Sequence, residues 1–201
     1  LYLREREIPW APIGQGMLVM ALASAALLFA FARRAPGRFN AQMFFLGAGF
    51  MLLETKGVVH MALLFGSTWI VNSVVFFAIL VMVLCANLYV LRLQPRRLVP
   101  WYALLAAALL LNALVPMGVF LSLAPAARVA ASCLVVFVPV FFAGVIFAAL
   151  FRDSQKPDID LGSNVAGIVL GGLSEQLSLV LGFSHVLLVA LAYYLLSLAL
   201  R

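Results

Sequence analysis

The stretch that decides the fold spans residues 41–65 and reads AQMFFLGAGFMLLETKGVVHMALLF. A helix needs about 20 consecutive, mainly apolar residues to cross a bilayer, and this stretch supplies them. Its ionisable residues are Glu54, Lys56 and His60. A charge at the bilayer centre costs about 2.5–3.5 kcal/mol on insertion scales, so these side chains need partners on other helices or a polar cavity. The stretch predicts a membrane-spanning helix that carries polar groups.

The composition of the whole chain extends this prediction to all 201 residues. Hydrophobic residues make up 66% of the chain and charged residues 10%, and the mean hydropathy is +1.17. Soluble domains have about 45–50% apolar and about 25% charged residues. The composition therefore excludes a soluble catalytic domain, a nucleic-acid-binding module and a disordered tail. It predicts an all-α fold, a polytopic transmembrane helical bundle.

Charges, prolines and glycines divide the chain into apolar runs of spanning length. We predict about seven spans in a single domain over residues 1–201, at residues 10–31, 41–65, 69–91, 101–123, 127–151, 161–181 and 184–200. Pro116 lies inside the fourth run and Pro139 inside the fifth. The last two runs are separated only by Gly182 and Phe183, which predicts a tight helical hairpin.

The basic residues predict the orientation of these spans. If all seven runs cross, nine basic residues share one side of the membrane: Arg33, Arg34, Arg38, Arg92, Arg96, Arg97, Arg152, Lys156 and Arg201. The other side carries Arg4, Arg6 and Arg128. Since cytoplasmic loops are enriched in Lys and Arg, the larger group is predicted to be cytoplasmic and the N-terminus to face away from the cytoplasm. This prediction fails if the charged second run re-enters instead of crossing.

The ionisable residues inside the runs are the first candidates for a functional site. Lys56 and His60 are four residues apart and share one helix face, whereas Glu54 is two positions from Lys56 and points elsewhere. Glu175, in the sixth run, is therefore the predicted partner of Lys56. Two interpretations remain open: buried ion pairs that fix helix packing, or a proton or substrate relay.

Asparagines form a second set of candidates: Asn72, Asn87, Asn112 and Asn164. Intramembrane amides hydrogen-bond between helices, which favours a structural role. Asn112 precedes Pro116 by four residues, where the proline leaves a backbone carbonyl without its usual partner. The alternative is a polar cavity, lined by Glu54, Lys56, His60, Asn72 and Glu175.

Small residues predict where helices approach closely. Gly167 and Gly171 form a small-xxx-small pattern in the sixth run, next to Gly172, and Gly47 and Gly49 lie in the second run. Such residues let helix backbones approach each other in membranes. We expect close packing within the bundle at these glycines.

Sequence motifs of soluble enzymes are absent. The chain has no Walker loop, no Cys or His pair with zinc spacing and no nucleophile elbow. We therefore predict no catalytic residue, no metal and no cofactor in these residues.

The second run carries a family resemblance. Residues 45–54, FLGAGFMLLE, followed by 63–66, LLFG, resemble a segment in the membrane-spanning regions of bacterial spermidine-synthase-like proteins. That segment reads Phe-Leu-Leu-Gly-x-Gly-Phe-Met-Leu-x-Glu. The later segments 162–164, 171–172 and 182–183 are similar to the ends of those regions, and residues 1–4 resemble the segment that follows their soluble S-adenosylmethionine-type domain. The motif positions are Gly47, Gly49, Glu54, Asn164, Gly171 and Gly172.

The resemblance implies a membrane region attached to an aminopropyltransferase-like or methyltransferase-like domain that lies outside this chain. The chain begins at Leu1 without an initiator Met, and we expect it to be a piece of a longer protein in a bacterial inner membrane. The expected role is an anchor or scaffold for a soluble domain or a larger membrane assembly. The expected partners are the lipid bilayer, such a soluble domain and other membrane subunits, with no nucleic acid.

Two other functions are compatible with the residues. The first is a small-molecule or proton-coupled transporter that uses Glu54, Lys56 and Glu175. The second is an accessory subunit of a respiratory or photosynthetic membrane complex.

Overall fold

The computed structural model describes residues 18–19, 22–23, 25–26, 29–30, 39–176, 178 and 182–201. Most of the first predicted span lies outside these residues, and so do Arg4, Arg6 and the arginines of the first loop. From residue 39 onward the described residues form an all-helical bundle. Its helices are α1 (Ala41–Phe65), α2 (Trp69–Leu93), α3 (Val99–Leu114), α4 (Met117–Leu121), α5 (Pro125–Arg152), α6 (Pro157–Glu175) and α7 (Phe183–Ala199).

Helix α1 lies at the centre of the bundle. It begins after Asn40, whose side chain accepts a hydrogen bond from the backbone N–H of Met43 (3.2 Å), as N-cap asparagines do. It ends at Gly66, which has a φ of 96° that side-chain-bearing residues rarely adopt. In between, it packs against α2, α5, α6 and α7, so its residues face protein on most sides.

Two pairs of helices run parallel to each other. In the first pair, α1 and α6, the Asn164 amide donates to the Met43 carbonyl near the start of α1, and Gly171 faces Ala48 further along both helices. In the second pair, Val75 of α2 clusters with buried residues of α5. Gly144 of α5 then faces Ala86 of α2.

Three further pairs are antiparallel. Leu52 of α1 packs with Val186 near the start of α7, while Gly49 faces Tyr194 near its end. Helix α3 is antiparallel to α5, because Trp101 near its start contacts Phe141 of α5, while Asn112 near its end bonds to the earlier residue Val135. It is also antiparallel to α7, because Tyr102 near the start of α3 bonds to Ser197 near the end of α7. Successive long helices therefore alternate in direction through the bundle.

The fourth predicted span is not one continuous helix. Helix α3 stops at Leu114, Val115 is extended, and Pro116 leads into the five-residue α4. A proline disfavours helical backbone in the residue before it and has no N–H to continue the helix. Within the predicted run 101–123, the structure thus has two helices that meet at Pro116.

Pro139 behaves differently, because α5 continues through it. A proline inside a helix leaves the carbonyl four residues earlier without its N–H donor, and here that carbonyl belongs to Val135. The Asn112 side chain of α3 donates a hydrogen bond to this carbonyl over 3.3 Å. Asn112 therefore supplies the hydrogen bond that Pro139 removes from α5. The sequence had associated Asn112 with Pro116 instead.

This arrangement predicts a coupled effect on stability. Asn112→Leu should lower the free energy of unfolding by about 1–2 kcal/mol, because it leaves the partly buried Val135 carbonyl unsatisfied. With Pro139→Ala already present, residue 139 supplies its own N–H and the same substitution should cost less. Thermal unfolding of both single variants and the double variant in detergent measures this coupling. Strictly additive effects of the two substitutions would contradict it.

Helices α6 and α7 have bounds that differ from those of the sixth and seventh predicted runs, and part of the connection between them lies outside the described residues. Helix α6 begins earlier than predicted, with Pro157 in its first turn together with Asp158 and Asp160, residue types that suit a helix N-terminus. It ends at Glu175. Within the described residues, both helices pack mainly along α1. The glycines of α6 let its backbone lie directly on α1.

The outer surface of the bundle is strongly apolar. Helices α1, α2 and α5 are long and apolar enough to cross a membrane by length and composition, while α3 and residues 185–199 form shorter apolar helices. Helix α2 buries only a few of its residues and exposes Phe77 (69%), Leu80 (68%) and Leu84 (57%). Soluble monomers rarely expose large continuous apolar surfaces.

Candidate functional site

A cavity of about 280 Å³ lies where α1, α2, α5, α6 and α7 meet. Its apolar lining consists of Leu46, Phe50, Ile79, Leu80, Val83, Ala143, Gly144, Phe147 and Ile168. Its polar lining consists of Glu54, Asn87, Asn164 and Tyr194. Small-molecule sites in proteins are concave, mostly apolar and carry a few polar groups, with volumes from about 300 Å³ upward. The cavity matches that chemistry and lies at the lower end of that size range.

The four polar side chains of the cavity differ in how they are bonded. Asn164 donates to the backbone carbonyl of Met43 over 3.0 Å and so holds α6 against α1. Tyr194 is 2% exposed, and its hydroxyl has no hydrogen-bond partner among the described residues. The Glu54 carboxylate forms no ion pair with any side chain in the described part of the chain. Asn87 is exposed at the rim, on α2.

The structure separates the polar residues that the sequence had grouped. Of the predicted cavity residues, Glu54 lines the cavity, whereas Lys56, His60, Asn72 and Glu175 do not. Instead, the cavity contains two of the other candidate asparagines together with a tyrosine.

His60 and Lys56 are buried towards the other end of α1, away from the cavity. The His60 ring packs edge-on against Phe120 of α4, with ring centroids 4.9 Å apart. Neither imidazole nitrogen has a hydrogen-bond partner within the described ranges. Arg128 fixes α4 in turn, because its guanidinium donates hydrogen bonds to the carbonyls of Phe120, Leu121 and Leu123. These contacts indicate a packing role for His60.

Glu175 and Asn72 lie at helix ends. Glu175 is the last residue of α6, and its carboxylate forms no ion pair with another described residue, so the predicted Lys56–Glu175 pair is not formed. Its neighbour Ser174 bonds instead to the Tyr193 hydroxyl of α7 (2.6 Å). Asn72 lies in the first turn of α2, with a buried side-chain oxygen that lacks a partner among the described atoms.

Three of the five candidate glycines form the contact between α1 and α6. A Cβ atom on Gly47 would overlap the backbone oxygen of Asn164, and one on Gly167 would overlap the backbone oxygen of Phe44. A Cβ on Gly171 would lie 2.5 Å from the Ala48 oxygen. Only glycine permits this approach of the two backbones. The contact holds the side chains of α1 and α6 in fixed register along the cavity.

The other two glycines have different surroundings. Gly49 faces α7, where a Cβ would lie 2.8 Å from the Tyr194 ring. Gly49 thus lets Tyr194 lie close to α1 and reach the cavity. In the described part of the chain, no atom of another element lies within 4 Å of the Cβ position of Gly172, so packing against those elements does not require glycine there.

A polar network lies at the end of the bundle where α1 and α6 begin. The Asn40 backbone N–H donates to the Ser163 hydroxyl (2.9 Å), and its side-chain amide donates to the Asp160 carboxylate (2.7 Å). Nearby, the Arg152 guanidinium donates two hydrogen bonds to Asp153 and lowers the pKa of that carboxyl group. An open depression of about 440 Å³ lies at this end, lined by Asn40, Gln42, Met43, Leu150, Asp153, Ser154, Gln155, Lys156 and Asp160.

Among the polar residues that line the cavity, Tyr194 is the one that the sequence did not single out. Tyrosines are common in apolar helices, and nothing in the residues around it marks it as polar lining. Its position opposite Gly49 depends on how α7 packs on α1, which the residues of α7 alone do not predict.

Comparisons of the chain with protein-family models, with curated proteins and with solved structures find no match. The resemblance to spermidine-synthase-like proteins therefore stays a prediction, which rests on the motif positions around Gly47, Glu54 and Asn164.

Proposed function

We propose that this chain is a seven-span integral membrane domain of a bacterial inner membrane. In this proposal it serves as an anchor or scaffold for a soluble domain or a larger membrane assembly. The soluble domain would be aminopropyltransferase-like or methyltransferase-like, as the spermidine-synthase-like resemblance implies.

The observation that carries the proposal is the distribution of basic residues over the alternating helices. Of the eight basic residues that the structure describes, six lie at the end of the bundle that contains Asn40, which we call the basic end: Arg92, Arg96, Arg97, Arg152, Lys156 and Arg201. Arg128 lies at the opposite end, where it caps α4, and Lys56 lies within α1. Positively charged loops face the cytoplasm, so this asymmetry supports a cytoplasmic basic end.

The direction of α1 supports the same orientation. Its first turn contacts Asp160 and Ser163 through Asn40 at the basic end, and its last turns reach Phe120 near the opposite end. A helix of 25 residues is about 37 Å long, enough to cross a hydrocarbon core of about 30 Å. This geometry favours a crossing second run over a re-entrant one.

The scaffold role is tested by asking whether the chain has a transport activity of its own. Reconstituted into liposomes, the purified chain should leave the basal leak of protons and of small amines unchanged, since a scaffold needs no pathway across the membrane. The scaffold role would be overturned in favour of a transporter if the chain carried a flux of protons or small amines that is lost in the Glu54→Gln variant and retained in the Glu175→Gln variant. The three-residue relay of Glu54, Lys56 and Glu175 gains no support from the geometry, because only Glu54 lines the cavity.

A further inference from the structure

Among the described residues that line the central cavity, Glu54 carries the acidic side chain. It lies 13 residues from the start of α1 and 11 from its end, which places it roughly 20 and 17 Å from the two helix ends. If α1 crosses a bilayer, this carboxyl group lies close to the midplane. An ionised carboxylate there requires a positive partner, and no described side chain provides one.

Other features of the cavity indicate what kind of molecule could provide that partner. The amide side chains of Asn87 and Asn164 line the cavity, and an amide oxygen can accept a hydrogen bond from an N–H group. The rest of the lining is mainly aliphatic or aromatic, including Phe50, Phe147 and Ile168. A cavity with one carboxylate, hydrogen-bond acceptors and apolar walls is complementary to an ammonium group on an apolar chain.

The rim of the cavity indicates how such a molecule would enter. Leu80 and Asn87 line the cavity on α2 and are both exposed. They lie on the outer surface of an apolar helix, which faces lipid if the helix crosses a membrane. The entrance therefore opens sideways into the bilayer, and amphiphilic molecules that partition into lipid have access to it.

We propose that the central cavity is a binding site for an amphiphilic primary amine, whose ammonium group pairs with Glu54 while its apolar chain packs against Phe50, Phe147 and Ile168. This site goes beyond the anchoring role and does not depend on it. The same chemistry could come from a free aliphatic amine or from the amine headgroup of a phospholipid.

Binding is tested by titrating the full chain in phosphatidylcholine nanodiscs with decylamine, with 1-decanol and decanoate as neutral and anionic counterparts of the same chain length. The heat measured with empty discs is subtracted. We expect saturable binding of decylamine, at least roughly tenfold tighter than that of either counterpart. Glu54→Gln should weaken decylamine binding by about tenfold or more and leave the protein folded, because Glu54 holds no described ion pair. Glu175→Gln, which removes a carboxylate outside the cavity, should bind as the wild type does.

Equal binding of the three ligands, or unchanged decylamine binding by Glu54→Gln, would overturn the proposal. A second pair of variants tests the location without changing charge. Leu80→Trp at the rim should block binding, whereas Leu84→Trp, on the same exposed face but outside the cavity, should not. Equal binding by these two variants would also overturn it.

The source of the amine is distinguished by repeating the titration in phosphatidylethanolamine discs. Competition, seen as weaker decylamine binding, identifies the lipid headgroup as an occupant of the site. Unchanged binding identifies a free amine, which the depth of Glu54 in the helix favours.

Discussion

Replacing Gly167 by alanine should destabilise the bundle by about 3 kcal/mol, at the upper end of overpacking effects. The added methyl group would occupy the position of the Phe44 backbone oxygen. A backbone oxygen cannot move aside as a flexible side chain can, so α6 must separate from α1. The separation would also weaken the hydrogen bond from Asn164 to the Met43 carbonyl. The measurement is the midpoint of thermal unfolding in detergent, together with the fraction of protein that elutes as a single species.

Gly172→Ala provides the matched control for this prediction. Gly172 lies in the same helix, and among the described residues no atom of another element lies within 4 Å of its Cβ position. Alanine is favoured over glycine in a helix by about 0.8–1 kcal/mol, so this variant should be as stable as the wild type or more stable. Equal destabilisation by the two substitutions would refute the backbone contact between α1 and α6.

Introducing lysine at both Phe77 and Leu84 should prevent normal insertion of α2. Both side chains are largely exposed, at 69% and 57%, so in water the substitutions would be harmless or would increase solubility. In a bilayer each lysine near the middle of α2 costs about 2.5–3.5 kcal/mol on insertion scales. Together the two lysines offset much of the favourable insertion free energy that the apolar residues of α2 provide. We expect strongly reduced accumulation in membranes and loss of the folded species.

The control places the same two charges at the ends of the same helix. Trp69 and Leu93 are also exposed, at 77% and 63%, and lysines there can extend to the membrane surface. Trp69→Lys combined with Leu93→Lys should therefore insert nearly as the wild type does. If the central pair were tolerated as well as the terminal pair, the exposed face of α2 would not face lipid.

The helical character of the chain can be predicted from composition and from the runs, because spanning length leaves few alternatives to a helix. The two prolines show where this prediction ends. Pro116 and Pro139 both lie inside apolar runs, yet only Pro116 breaks its helix. At Pro139, the carbonyl that loses its usual N–H donor accepts a hydrogen bond from Asn112 of a neighbouring helix, and no local pattern contains that information.

The candidate site was predictable only in part. Glu54 could be identified because an acid inside an apolar helix needs a partner. Its neighbours in the cavity could not, because they depend on which helices pack on α1 and in which direction. The glycines of α6 mark a close contact in the sequence, but their partners Phe44 and Ala48 follow from the parallel packing on α1.

The central claim is that successive helices cross a bilayer in alternate directions with the basic end in the cytoplasm. Its most direct test is the accessibility of single cysteines in intact cells, after Cys85 and Cys133 are replaced by alanine. Ser67→Cys and Ser122→Cys report on the end opposite the basic end, and Gln155→Cys reports on the basic end itself. An impermeant maleimide should label the first two in intact cells and the third only after the membrane is opened. Labelling of all three in intact cells, or of Gln155→Cys alone, would contradict this account.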